Sequence, residues 1–287
     1  MSTNRPYVGR FAPSPTGRLH LGSMVAAVAS WLDAKAHGGV WLVRIEDLDP
    51  PREVKGAADD ILKTLEGFGL EWDGQVVYQS ERHELYGDWL EGMKEKDLVF
   101  GCTCTRKSLA AAGGLEVYPG FCRNGLPPGV SPRAWRFKMP MGPDLTWEDR
   151  MQGHQSRSRK EVGDVTLLRA DGFWAYHLAV VIDDHDQGVT HVVRGADLLE
   201  STAAHLALQD ALSLQAQEYM HLVVVTNESG QKLSKQTLAN PVEIEFAPEV
   251  LEKVFDHLEL KGIVKASVHD MLSQALVQWK DLYSRNS

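Results

Sequence analysis

Residues Arg10 to Ser23 read RFAPSPTGRLHLGS, and the fold is decided here. On one side, the apolar run Tyr7 to Phe11 predicts a short strand. On the other, Gly22 to Ala36 carries Met24, Val25, Val28 and Leu32 on one stripe, which predicts a helix. Pro13 and Pro15 stiffen the connecting loop. Gly17 and Gly22 let backbone approach a ligand closely. A helix starting here presents unsatisfied N–H groups and the positive end of its dipole, a natural place for phosphate. His20, just before that helix, adds a possible donor. One histidine in such a place carries little weight; the fourteen-residue string carries much more.

Outward from this stretch, His37-Gly38-Gly39 ends the helix as C-terminal glycines do. Val40 to Ile45 predicts a second strand. Gly56 to Gly67 predicts an amphipathic helix with Ile61, Leu62 and Leu65 inward, and Glu81 to Lys96 another with Leu85, Trp89, Leu90 and Met93. Strand and helix in alternation imply an α/β fold with a parallel sheet. The rhythm breaks after Cys102, where Gly, Pro and Arg accumulate and periodicity weakens, as in an insertion. Regular patterns return at Ala175 to Ile182, at a strand His191 to Arg194, at a helix Leu198 to Leu212 and at a strand Met220 to Thr226. Pro241 to Ser287 reads as wholly helical, with Val250, Val254 and Leu258 on one stripe. There is no internal repeat or low-complexity tract.

The chain has 287 residues, 43% of them hydrophobic and 24% charged, enough for a sizeable core and unlike a disordered or collagen-like chain. No run of about 18 apolar residues suggests a membrane span, and Met1 to Tyr7 shows no signal-peptide pattern. Three cysteines suit a reducing compartment, so a cytoplasmic protein is expected. The net charge of −9 alone argues against a nucleic-acid partner. It is unevenly spread: Cys102 to Lys160 holds ten basic and four acidic residues, so the rest of the chain is −15. That +6 island is either solvated surface or a face that meets a polyanion.

RFAPSPTGRLHLGS resembles the first signature of the class I aminoacyl-tRNA synthetases, here His20-Leu21-Gly22-Ser23, with flanks similar to those of the glutamyl branch. Val43 to Asp49, VRIEDLD, is similar to another segment of that branch. Lys232 to Gln236, KLSKQ, resembles the second signature, with Gln236 in place of its final Ser. Phe173 to Asp183, FWAYHLAVVID, and Thr190 to Leu199, THVVRGADLL, extend the resemblance over nearly the whole chain. Since 52 residues follow Lys235, too few for a large anticodon-binding domain, the likeness narrows to the truncated glutamyl-queuosine branch. The resemblance implies a Rossmann-like catalytic domain whose first half covers 1–101 and whose second half, with the KLSK loop, covers 166–240. It further implies a zinc-binding insertion over 102–165 and a helical stem-contact-like segment over 241–287.

It also implies an activity. L-Glutamate would be activated with ATP, without tRNA, to glutamyl-adenylate. The glutamate would then pass to the queuosine base at the wobble position of tRNA(Asp), so the partner is the anticodon stem-loop of that tRNA. Glutamate carries two carboxylates and an ammonium, so its site calls for cationic forks and an anion. Arg10 and Arg194 are the candidate forks, Glu46 the anion, and Ser14 and Tyr176 neutral partners; the resemblance adds Phe11, Ala12 and Pro13. Read singly, Glu46 is a loop or capping acid and Arg194 a surface ion pair. The ATP site implied is His20, Gly22, Ser23, Lys232, Ser234 and Lys235, with His20 and Lys235 catalytic and magnesium accompanying ATP. A monomer is expected.

Cys102, Cys104 and Cys122 fall within 21 residues and account for every cysteine. Clustered thiolates favour zinc, which takes four ligands. The family pattern implies Tyr118 as the fourth; His154 is the rival from composition, and three reduced thiols without metal the other reading. Asp183, Asp184, His185 and Asp186 look like metal ligands but read better as a turn with local capping. Rival functions are glutamyl transfer to another acceptor, such as the 3′ end of tRNA(Glu), a small molecule or a carrier protein, and a non-catalytic tRNA-binding protein.

Overall fold

The computed structural model describes residues 5–114, 116–226 and 240–284. The described residues form two compact units, the first built from the chain up to Gln79, Val189–Asp197 and the chain from Gln217, the second from Ser80–Gly188 and Leu198–Ala216.

The first unit holds the parallel sheet. Strands β1 (Val8–Phe11), β2 (Val40–Ile45) and β3 (Val77–Tyr78) lie in the order β1-β2-β3, with Arg10 opposite Leu42 and Phe11 opposite Val43. Helix α1 (Leu21–Ala36) connects the first two, as the βαβ pattern requires. Its apolar stripe is fully buried: Met24, Val28 and Leu32 expose nothing. Strand β2 is covered on both sides, with Trp41, Val43 and Ile45 buried on one face and Arg44 on the other, as expected of a parallel strand. Helix α2 (Ala57–Gly67) follows, with Ile61 and Leu65 inward and Gly56 as its cap at φ 81. Both segment ends match the sequence reading to one residue.

The same unit contains β9 (His191–Gly195) paired in parallel with β10 (Glu218–Leu222), so that Arg194 stands opposite His221. Strand β10 begins two residues before the expected start and stops at Leu222, short of the expected Thr226. The C-terminal segment holds two helices, α8 (Ala247–His257) and α9 (Val268–Trp279). The break follows from Glu259 at φ 59 and Gly262 at φ 73, backbone conformations no helix accepts. Both helices pack on α1.

The second unit carries α3 (His83–Glu95), in which Tyr86, Leu90 and Met93 are buried while Leu85 and Trp89 sit at the margin. Its insertion is more regular than the sequence suggests. An antiparallel sheet β4-β5-β8 joins Val99–Cys102, Ala134–Phe137 and Thr166–Leu168. A hairpin pairs β6 (Leu145–Asp149) with β7 (Gly153–Arg157), and two short helices, α4 (Arg106–Ala111) and α5 (Arg159–Val162), each begin with a capping box. Helices α6 (Tyr176–Asp186) and α7 (Leu199–Ala211) pack together.

Candidate active site and cysteine cluster

His20 is the N-cap of α1, with extended backbone at φ −117 and ψ 173. Its Nδ1 accepts the Ser23 backbone N–H at 3.3 Å, which leaves the proton of the neutral ring on Nε2. Ser23 Oγ lies 3.2 Å from that Nε2. Two proton donors therefore gather at the positive end of a 16-residue helix whose first turn holds no acid. This is the electrostatics of an anion site. Gly22 follows within the first turn. Upstream, Gly17 sits at φ 136, which a side chain would strain.

The same loop anchors a distant part of the chain. Leu19 carbonyl accepts the Val242 N–H at 2.9 Å, and His20 forms a β-bridge with Pro241. Arg18 makes a two-pronged pair with Glu243, at 2.7 and 2.9 Å, and a further contact to Asp60. That hydrogen-bonded pair raises the Arg18 pKa and holds Glu243 below the usual carboxylate range. Lys232, Ser234, Lys235 and Gln236 lie outside the described residues, but the chain that follows them, from Asn240, returns onto the first signature.

The ends of β1, β2 and β9 present the charged candidates of the first unit. Arg10 is 4% exposed and Arg194 5%, unusual burial for guanidinium groups. Arg194 donates from Nε to His221 Nε2 at 3.0 Å, and its guanidinium lies 5.5 Å from the Tyr219 ring centre. His221 is fully buried and stacks on Tyr219 at 5.9 Å. Accepting at Nε2, its neutral ring carries its proton on Nδ1. Glu46 follows β2 directly; its N–H bonds the Pro13 carbonyl at 3.0 Å, which ties the two loops together. Its carboxylate meets the fully buried Arg44 at 3.3 Å. Phe11 is buried, Ala12 and Pro13 half-buried, and Ser14 exposed. Tyr176 opens α6 in the second unit, where its ring sits 5.3 Å from His205.

Glu46 is a loop acid paired with a buried arginine, and Arg194 is buried rather than a surface ion pair. Their partners, Arg44 and His221, are absent from the sequence reading. Arg44 carried a signal, standing two residues from Glu46 on the same strand face. His221 carried none until the β9–β10 register was known.

The second centre lies in the insertion. The sulfurs of Cys102, Cys104 and Cys122 lie within 4.8 Å of one another, the one such group of three among the described His, Cys, Asp and Glu residues. Cys104 and Cys122 are 3.7 Å apart. The Tyr118 hydroxyl stands among them, 3.5 Å from Cys102 and 3.6 Å from Cys104, and accepts the Cys122 N–H at 2.9 Å. Burial and the neighbouring thiols raise the Tyr118 pKa. Burial likewise pushes Cys104 up to about 11. Burial works against ionising Cys122 as well, but hydrogen bonds from Tyr118 and Thr103 outweigh it and bring that thiol down to about 7. The three thiols stand close enough to hold one metal ion, the Cys104–Cys122 pair near the ~3.8 Å edge of a tetrahedron with ~2.3 Å metal–sulfur bonds, and the Tyr118 oxygen is a fourth donor beside them. His154 does not belong to it: it stands on the exposed β6–β7 hairpin, 2.6 Å from Glu148. Asp183 to Asp186 form the last turn of α6 rather than a separate turn. Asp183 is held by Arg82 at 2.7 Å and by Tyr86, and Asp186 by Arg82 at 2.6 Å.

These features coincide with known proteins. The family model of tRNA synthetases class I (E and Q), catalytic domain, matches residues 7–114 and 130–281. A protein named glutamyl-Q tRNA(Asp) synthetase from Chromobacterium violaceum is 56% identical, over 88% of this chain and 86% of its own. One of the same name from Dechloromonas aromatica is 51% identical, over 89% and 87%. Among solved structures, the glutamate tRNA ligase of Elizabethkingia meningosepticum, in complex with its amino acid, aligns with a TM-score of 0.78 at 28% identity. The alignment covers 93% of this chain but 64% of that one, so the chain spans just under two thirds of that ligase. The chain belongs to the class I tRNA synthetases of the E and Q type, alongside the relatives named glutamyl-Q tRNA(Asp) synthetase.

Proposed function

We propose that this class I ligase activates L-glutamate with ATP in the absence of tRNA and transfers it to the queuosine base of tRNA(Asp). The observation that carries the reading is the 56% identity, over most of both chains, to a relative named glutamyl-Q tRNA(Asp) synthetase. In the first step an oxygen of the glutamate α-carboxylate attacks the α-phosphorus of ATP, and the bond to pyrophosphate breaks. In the second, a hydroxyl of the queuosine cyclopentene ring attacks the mixed anhydride and AMP leaves. Little covalent work falls to the protein, so positioning and charge stabilisation dominate.

His20 Nε2–H, Ser23 and the α1 terminus from Gly22 hold the phosphates. Lys232, Ser234 and Lys235 of the second signature join them, with Lys235 stabilising charge in the transition state. Arg10 and Arg194 take the glutamate carboxylates and Glu46 the ammonium. Ser14, Tyr176 and the Phe11-Ala12-Pro13 backbone complete that site. Mg²⁺ carried in with ATP neutralises phosphate charge. Cys102, Cys104, Tyr118 and Cys122 hold one structural Zn²⁺ that organises a segment with a small apolar core. The protein acts as a monomer in the cytoplasm.

The test has two arms. ATP–pyrophosphate exchange is expected with glutamate and no tRNA. Labelled glutamate is then expected on tRNA(Asp) containing queuosine and absent from the same tRNA without it. No exchange eliminates the enzymatic reading; labelling that ignores queuosine, or that appears on tRNA(Glu), favours the alternative acceptor.

A further inference from the structure

The +6 segment, Cys102 to Lys160, divides on folding. Arg123 ion-pairs with Asp164, Lys138 with Asp97, Arg157 with Glu200 and Arg159 with Asp210. Arg136 donates to the Asp164 carbonyl at 2.9 Å and lies 4.1 Å over the Tyr118 ring. Arg150 has partners of its own. Arg106, Lys107, Arg133 and Lys160 have no ion pair among the described residues. Three of these four border the cysteine cluster. Arg106 and Lys107 begin α4 just after Cys104, and the Arg133 N–H bonds the Cys102 carbonyl at 3.0 Å. From Cys102 to Arg133 the chain has one acid, Glu116.

Phe121, the residue before Cys122, leaves 60% of its surface exposed. A lone exposed ring is ordinary, but this one stands on a hydrogen-bonded turn. It is the second residue of a turn that the Arg123 N–H closes onto the Gly120 carbonyl at 3.0 Å, with Gly120 at φ 83. The Tyr118 hydroxyl fixes the next residue through the Cys122 N–H at 2.9 Å. The backbone that carries the ring is thus held before any partner arrives.

We propose that this face binds single-stranded RNA, with an unstacked base lying on Phe121 and the flanking phosphates against Arg106, Lys107 and Arg133. Every base offers a π-face to such a platform, and cations free of carboxylates are the ones open to phosphate. The proposal rests on the reading of a tRNA loop as acceptor. It names the surface that would grip that loop away from the reacting atoms.

The probe is a fluorescent RNA hairpin carrying the tRNA(Asp) anticodon loop, its binding to the full chain read by anisotropy. Phe121→Ala and the double variant Arg106→Gln with Lys107→Gln are each expected to weaken binding at least about fivefold, the scale of one lost stacked base. Phe121→Trp should stay within about twofold of the unaltered chain. Zinc content and tRNA-free exchange should be unchanged, which separates a lost surface from a misfolded one. Failure of exchange or of queuosine labelling by the unaltered chain would sink the enzymatic reading instead. Hairpin binding that is absent, or indifferent to Phe121→Ala, overturns the proposal. So does a concentration-dependent dimer that Phe121→Ala abolishes, since the ring would then serve a second copy of the chain.

Discussion

Arg194 is buried with its Nε spent on His221. That bond fixes the plane of the guanidinium and directs its two terminal nitrogens elsewhere, so His221 positions the fork without needing to touch a ligand. Replacing it by Leu removes the acceptor of a buried donor, a cost of about 1–3 kcal/mol. If the fork serves glutamate, His221→Leu raises the glutamate KM in pyrophosphate exchange by about tenfold. The ATP KM stays within about twofold, and His221→Gln, which restores an acceptor, recovers part of the loss. A variant that lowers kcat alone would contradict this positioning role. The chemistry-bearing residues were legible because their types are conspicuous where they stand: arginine at strand ends, an acid after a buried strand, three cysteines together. Arg44, two residues from Glu46, was within reach of the same reading, but His221 was not, because the register of β9 and β10 decides it.

The cysteine knuckle is an element held largely by its donors. Its apolar cluster is small, essentially Phe100, Leu109, Tyr118 and Ala134 around the thiols, so a bound metal would supply much of its order. One zinc per chain is expected, and Cys102→Ser should abolish it. Melting of the variant, followed by scanning calorimetry, should gain a separate low-temperature transition. A Cys102→Ser protein with full zinc content would refute the ligand set. Elements with long stripes and glycine stops, such as α1 and α2, fell within a residue of the sequence reading. The strands of the insertion did not, since runs of three to five residues such as Ala134–Phe137 and Thr166–Leu168 are too short to set a period. The C-terminal segment is helical as read, in two helices parted where Glu259 and Gly262 take left-handed backbone.

At the scale of the whole molecule, Asp33 joins segments that are far apart in the chain. Fully buried on α1, it accepts the Tyr7 hydroxyl at 2.5 Å and the Trp279 indole N–H at 2.9 Å. The first strand's approach, the first helix and the last helix thus meet on one carboxylate. Asp33→Ala removes the acceptor that Tyr7 and Trp279 share, and a loss of about 3 kcal/mol is expected from the shift of the urea midpoint. A loss under about 1 kcal/mol would mean that the C-terminal helix holds without this node. The pairing of the basic island has a consequence of its own, in counterions. Cations already neutralised by carboxylates hold few condensed anions to give up and release few from a nucleic acid. A face with three unpaired cations gives a logarithmic salt slope near −2 for single strands, against about −7 had all ten been open. From 50 to 200 mM salt, RNA affinity then falls about twentyfold rather than about ten-thousandfold. An acidic protein built this way keeps hold of its RNA at the ionic strength of a cell.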